Sequence, residues 1–203
     1  TSMIINKGNL ALIFTGYKAS FTKGMTNAQS FWEQVAMRIP SATGEEVYSW
    51  LGQLPSLREW VGPRILKNLV AKGYTVPNKD FEATITVPRN SIEDDKYGLF
   101  SPLFEEMGRS AAAHPDELVF SALKAGFTSE CYDGQNFFDA DHPVGTKEAG
   151  TLASVSNMQD GAGPAWFLLD TNRVTKPMIY QERRPYSLVS MTEPTDDNVF
   201  FNK

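Results

Sequence analysis

Between Ser101 and Gly126 the apolar and small positions fall at helical spacing. Leu103, Met107, Ala111, His114, Leu118, Ala122 and Ala125 follow one another at steps of four and three, which traces one face of an α-helix. Ser101 ahead of Pro102 is a start signal, because a serine hydroxyl satisfies an orphan N–H and proline loses no hydrogen bond at the first helical position. Gly126 is a stop signal. The predicted element is roughly 24 residues, about 36 Å long. Pro115 removes an interior hydrogen bond, and Asp116 and Glu117 behind it suit a fresh helix N-terminus. Two readings stay open: one kinked helix, or two helices meeting at His114.

Residues 6–22 place Leu10, Phe14, Tyr17 and Phe21 on one side of a first helix, with Asn6 or Asn9 as its cap. Thr43 and Glu46 match a capping box, which predicts a short helix through Val47, Tyr48, Trp50 and Leu51 to Gly52. Residues 54–63 are broken by prolines yet keep Leu54, Leu57, Trp60 and Val61, so they form an irregular segment that needs cover. Leu66–Val76 and Phe81–Val87 read as two strands joined by a turn at residues 77–80. In the second, Phe81, Ala83, Ile85 and Val87 face one way and Glu82, Thr84 and Thr86 the other. A lone two-stranded hairpin is marginal in water, so a third strand or a neighbouring copy must support it. Residues 145–163, small and polar, are the expected flexible stretch, and strands are predicted again at 166–169, 178–181 and 188–191. The ending at Lys203, just behind Val199, Phe200 and Phe201, reads as a shortened chain.

Length and composition place these elements in an ordinary folded chain. The 203 residues fit one large domain or two small ones, with 41% hydrophobic and 21% charged residues. The apolar run Leu10–Phe14 is far short of the roughly 18 residues a membrane span needs, and no secretion signal follows it. A single cysteine, Cys131, precludes an intramolecular disulfide and fits a reducing compartment. Net charge is −5 but unevenly placed: residues 1–90 carry ten Lys and Arg against six Asp and Glu, or +4, and residues 91–203 carry nine against eighteen, or −9. Such a split disfavours binding of free nucleic acid by the whole chain; it suits either head-to-tail contact between copies or simple surface solvation.

Candidate chemistry is confined to one loop, where Cys131, Asp133, Asp139, Asp141 and His142 cluster, with His114 upstream. A thiol–imidazole hydrolase needs Cys131 and His142 in contact and a stabilised thiolate, whereas Glu130 and Asp133 beside the thiol work against ionisation. A plain loop cysteine is the preferred reading. Asp139-Ala-Asp141 opens like a calcium loop, but the sixth position is Val144 and the closing glutamate is absent. One cysteine and two histidines 28 residues apart show no zinc-ligand spacing. No phosphate loop, nucleophile elbow or zinc-protease motif is present in the sequence. The tryptophans Trp32, Trp50, Trp60 and Trp166, with Arg58 and Arg64 interleaved, are either interface anchors or core, and Trp166 within a WFLLD run is read as core.

Five segments carry a family resemblance: MIINKGNL (3–10), YSWLGQLPSLREWVGPRILKNL (48–69), IEDDKYGLFSPLFEEMGRSAAAHPDELVF (92–120), CYDGQNFFDADHPVG (131–145) and LLDTNRVTKPMIYQERRP (168–185). With the order of elements, they resemble the Mu-like phage major head subunit, the gpT family of HK97-fold capsid proteins. The resemblance implies an α+β, HK97-like capsid fold: an N-terminal arm at 1–46, an extended β-hairpin loop at 47–95, a spine helix and peripheral domain at 96–150, and the start of an axial domain at 151–203, shortened at its carboxyl end. It implies a structural, non-enzymatic subunit that makes hexamers and pentamers of a shell around DNA without reading its sequence, in a virion assembled in a bacterial cytoplasm. Scaffold or decoration proteins are further expected partners, and no membrane, cofactor or metal is expected. Subunit contacts are expected at Trp50, Arg58, Trp60, Arg64, Phe81, Ile85 and Val87. Two other classes stay open, a Cys131–His142 hydrolase and a monomeric binding module using the Trp50/Trp60 region.

Overall fold

A computed structural model describes residues 6–49, 51, 73–94, 96–145 and 152–191. In chain order the elements are α1 (Lys7–Asn27), α2 (Trp32–Val35), β1 (Ala36–Pro40), β2 (Glu45–Tyr48), β3 (Tyr74–Pro77), α3 (Arg89–Glu93), α4 (Ser101–Ala125), β4 (His142–Val144), β5 (Ala153–Val155) and β6 (Met178–Glu182). A 3-10 turn, Tyr97–Phe100, leads into α4. They divide into two units, one of residues 1–31, 80–117 and 184–203, the other of 32–79 and 118–183. The segment 54–63, most of the predicted strand at 66–76 and the last residues of the chain lie outside the described residues.

In the first unit α1 starts where the sequence says it should. Asn6 is extended and its side-chain oxygen accepts the Asn9 N–H at 2.8 Å, so one orphan donor is satisfied. The helix runs five residues beyond the predicted end and buries Ile13, Tyr17, Phe21 and Gly24. Tyr17 stacks on Phe104 of α4 with ring centroids 4.1 Å apart. Ile85, Val87, Ile92, Phe100, Met107 and Leu188 close around this pair and Ile13. The two helix backbones come close because glycine sits at each crossing point. A Cβ on Gly24 would lie 1.9 Å from the Glu105 carbonyl oxygen, and one on Gly108 would lie 2.0 Å from that of Phe21.

The second unit packs Trp32, Val35, Ala36 and Val119, flanked by Phe120, Leu169, Met178 and Tyr180. β1 pairs in parallel with β6, Ala36 opposite Met178 and Pro40 opposite Glu182. A parallel pair needs a long connection, here most of the chain. β2 pairs antiparallel with β3, Tyr48 opposite Tyr74. A side-chain network joins these two small sheets. The Tyr48 hydroxyl donates to Gln181 Oε1 at 2.7 Å; Gln181 Nε2 donates to the Val76 carbonyl at 3.0 Å and to Asn78 Oδ1 at 2.9 Å; Asn78 Nδ2 donates to Ser41 Oγ at 2.8 Å. Burial, with the Glu46 charge nearby, pushes the Tyr48 hydroxyl pKa up.

Four predicted elements take another form. The Thr43/Glu46 pair does not open a helix, because Glu45–Tyr48 is strand β2. The Glu46 carboxylate instead accepts from Ser41 Oγ at 2.9 Å and the Ala42 N–H at 3.0 Å, bracing the turn that leads into β2 and lowering its own pKa. Residues 81–87 are not a strand, and β3 takes β2 as its partner instead. Their alternation was nonetheless physical, since Ile85 and Val87 turn inward onto the α1/α4 cluster. Residues 166–169 and 188–191 are also not strands, while part of the expected flexible stretch, Ala153–Val155, is strand β5 against β4.

Helix α4 is single and passes through Pro115, which decides between the two readings left open. Its buried positions are Phe104, Gly108, Pro115, Val119 and Leu123, one residue out of register with the predicted face, and Leu103 is 49% exposed. Ser101 already has helical dihedrals, because the 3-10 turn feeds directly into the helix. Asp116 does not start a new helix either; its carboxylate accepts the Phe31 N–H at 3.0 Å and the Ser30 hydroxyl at 3.2 Å.

The glycine contacts predict opposite responses to the same change. Gly24→Ala and Gly108→Ala should each lower unfolding stability by about 1–3 kcal/mol despite better helix propensity, since a methyl group must force the backbones apart. Gly16→Ala, whose Cβ meets nothing within 4 Å, should raise stability by about 0.5–1 kcal/mol. Urea midpoints of the three variants decide the matter.

Candidate functional site

The candidate loop begins where α4 stops. Gly126 N–H bonds the Leu123 carbonyl at 3.1 Å, and the Phe138 N–H returns to the Gly126 carbonyl at 2.9 Å. Between them the chain folds back on itself: Phe137 N–H meets the Ser129 carbonyl at 2.9 Å, and Cys131 N–H meets that of Gln135 at 2.7 Å. The tip closes with Gly134 N–H on the Cys131 carbonyl at 3.2 Å, and Gly134 takes φ +88°, a conformation that glycine reaches without a Cβ clash. This tight turn brings Cys131 and Asp133 within reach of each other, and the following run through Phe138 delivers His142 of β4 to the same place.

Asp133 sits at the centre. Its Oδ1 accepts from the Cys131 thiol at 3.0 Å and from the Gln135 N–H at 3.0 Å, and its Oδ2 bonds His142 Nδ1 at 2.7 Å. Both side chains of the Asp133–His142 pair are mostly buried. Burial by itself would raise the Asp133 pKa; the bonds from Cys131, His142 and Gln135 outweigh it and hold the carboxyl below the usual range. The thiol responds the other way: burial first, then the hydrogen bond to Asp133, push it up to about 11. Nearby, the Ala140 N–H holds Asp139 low at 2.7 Å, while Asp141, hydrogen-bonded to Asp139, is pushed up.

This geometry overturns the hydrolase alternative. A nucleophilic thiol must give its proton to the imidazole, but here a carboxylate stands between them and disfavours the thiolate. Chemically the arrangement is a clamp, one carboxylate holding the loop tip to β4.

Of the expected contact residues, Trp50, Arg58, Trp60 and Arg64 lie outside the described residues. Phe81 is 49% exposed and meets the His114 ring edge-on at 4.5 Å, with the Tyr186 hydroxyl on His114 Nδ1 at 2.5 Å. Ile85 and Val87 are half-buried against the α1/α4 cluster. Trp166, read as core, is 72% exposed, and Leu168 beside it is 86% exposed. Phe167 turns inward between them, onto Phe138 at 5.3 Å and Phe127 at 6.1 Å. The missed signal was the glycine and proline of residues 161–164 just ahead, which mark irregular chain with no strand to bury both faces.

Comparison with known proteins gives this fold its class. The chain superposes on a subunit of the procapsid of bacteriophage JBD30 with a TM-score of 0.81 and 49% identity, covering 97% of this chain and 67% of that one. Against the JBD30 capsid the TM-score is 0.58 with 40% identity, over 95% of this chain and 63% of the other. The architecture is that of an HK97-like phage capsid subunit, α+β as expected. The Mu-like prophage major head subunit gpT family matches residues 10–203. Among its relatives, the major capsid protein of Escherichia phage Mu is 43% identical over 205 aligned residues, 98% of this chain and 67% of that protein. The Mu-like prophage FluMu major head subunit of Haemophilus influenzae is 44% identical over 194, 93% of this chain and 63% of that protein. The chain belongs to the Mu-like major head subunit family, whose members are structural capsid proteins and not enzymes, and it spans about two thirds of the length of these relatives.

The clamp predicts a sluggish cysteine. Cys131 in the folded chain at pH 8 should alkylate roughly 100-fold more slowly than an ordinary thiol. Asp133→Asn, which removes a charge that opposes ionisation, should speed the reaction several-fold, and denatured chain should react at the ordinary rate. Mass spectrometry of timed iodoacetamide reactions reads all three.

Proposed function

We propose that this chain builds the shell of a Mu-like phage head by repeated contacts with copies of itself, in rings of six and five. The observation that carries the proposal is the likeness to the JBD30 procapsid subunit over nearly the whole chain. In this reading residues 1–46 form the N-terminal arm, 47–95 the extended loop across a neighbour, 96–150 the spine helix and peripheral domain, and 151–203 the beginning of the axial domain. Heterologous contacts that close into rings are the geometry by which one surface can tile a shell.

The contact residues in this proposal are Trp50, Arg58, Trp60, Arg64, the half-exposed Phe81, and Ile85 and Val87, which also pack on the α1/α4 cluster. The basic first half and acidic second half supply complementary fields that set register between copies. The shell encloses DNA through its shape and not by reading bases. Minor capsid protein trimers decorate the JBD30 capsid, and partners of that kind, or a scaffold, fit the outer or inner face of this shell. The subunit is made in the host cytoplasm and ends in the virion. No described helix is long and apolar enough to cross a membrane.

Light scattering of the purified chain against concentration, with negative-stain imaging, tests the proposal. Rings, sheets or shells are expected, and a monomer at every concentration would count against it. Charge reversal at Arg58 or Arg64 should weaken association at low salt, with the difference from the parent chain shrinking as salt screens the fields. Association indifferent to both reversals would remove these arginines from the interface.

A further inference from the structure

The triad at the loop tip offers three unlike donors to one point. Cys131 Sγ, an Asp133 carboxylate oxygen and a His142 ring nitrogen all lie within 4.8 Å of one another. We infer that these three side chains bind one divalent ion of the Zn2+ class, leaving a fourth position for water.

The donor set selects the ion. A thiolate and an imidazole are soft or borderline ligands that suit Zn2+ or Co2+ and not Ca2+ or Mg2+, which require several oxygens. The present distances of 3.0 Å from Sγ to Oδ1 and 2.7 Å from Oδ2 to Nδ1 are those of hydrogen bonds. A tetrahedral ion at about 2.0–2.3 Å from each donor needs the same atoms only slightly further apart. The turn at residues 131–134 and strand β4 already fix the three backbones, so little ordering remains for the ion to impose.

The surroundings favour a cation. Asp139 and Asp141 precede His142 in the chain, so an added positive charge meets two further carboxylates there. Among the described residues His142 Nε2 is buried without a hydrogen-bond partner. Nε2 is unpartnered in either tautomer, so moving the ring proton from Nδ1 to Nε2 gives up only the hydrogen bond to Asp133 Oδ2, which the metal bonds at Nδ1 and at the carboxylate replace. The sulfur balance is simple. The S–H bond breaks, an S–metal bond forms, and the proton passes to buffer, about one proton per ion at neutral pH, where a thiol is ordinarily protonated.

Nothing in this proposal depends on the shell, so it is tested on unassembled chain under reducing conditions with Co2+ as the probe. One equivalent should give the strong visible bands of tetrahedral cobalt together with a thiolate-to-cobalt charge-transfer band, both abolished by stoichiometric Zn2+. Because Cys131 is the single cysteine of the chain, that band assigns the ligand even if Cys131→Ser fails to fold. Where the variants fold, Cys131→Ser should lose the charge-transfer band and Asp133→Asn should weaken Co2+ binding at least 10-fold. Zn2+ should also raise the melting temperature of the parent chain, with chelator reversing the shift. A weak octahedral spectrum, or uptake without a thiolate band, overturns the proposal.

Discussion

Helix α4 is the element on which both hydrophobic clusters depend, through two positions of one buried stripe. Phe104 stacks on Tyr17 in the first unit, and Val119 packs with Trp32, Val35 and Ala36 in the second. The stripe runs at steps of four and seven, so every residue on it is constrained by helical geometry as well as by its neighbours. Gly108 lies on it because its counterpart helix passes too close for a side chain. Pro115 lies on it too, and a helix that gives up one hydrogen bond there is held by packing along its length.

The second unit shows a different economy. Its sheets have only two strands each, which in isolation would be marginal. Side-chain amides and hydroxyls compensate: Tyr48, Gln181, Asn78 and Ser41 join β1–β6 to β2–β3 with bonds of 2.7–2.9 Å. Buried polar networks of this kind are stabilising only when every member is satisfied, so they specify one arrangement of the strands. The same logic governs the loop after α4, where one carboxylate satisfies a thiol, a backbone amide and an imidazole together. That loop is chemically dense but structurally employed. Its thiol is disarmed by burial and by the carboxylate beside it, which fits a structural subunit and not a hydrolase.

Large apolar side chains left in the open complete the picture. Trp166, Leu168 and Val174 are 72%, 86% and 96% exposed, while Phe167, between the first two in sequence, joins the rings of Phe127 and Phe138. A chain that functions alone seldom leaves such residues in water. Under the proposed shell assembly such side chains are available to neighbouring copies, alongside the contacts proposed at residues 50–87.

Much was determined by sequence alone: an asparagine cap at the start of α1, the bounds of the helical stretch that α4 fills, the strand at Met178, and the family, which rests on long segments spread over the chain. These features are local or are carried by pattern, and pattern survives without knowledge of partners. The tertiary structure decided which side of α4 is buried, because a one-residue shift in the stripe depends on where α1 lies. It turned the Thr43/Glu46 signature into a strand entry, because the cross-strand partner Tyr74–Pro77 outcompeted a four-residue helix. It gave residues 81–87 helices and not a strand to pack on, since alternation states that one face is covered without naming the cover. It also gathered Cys131, Asp133 and His142, whose spacing carries no ligand signature, because a positive-φ glycine and a returning strand bring distant positions to one point.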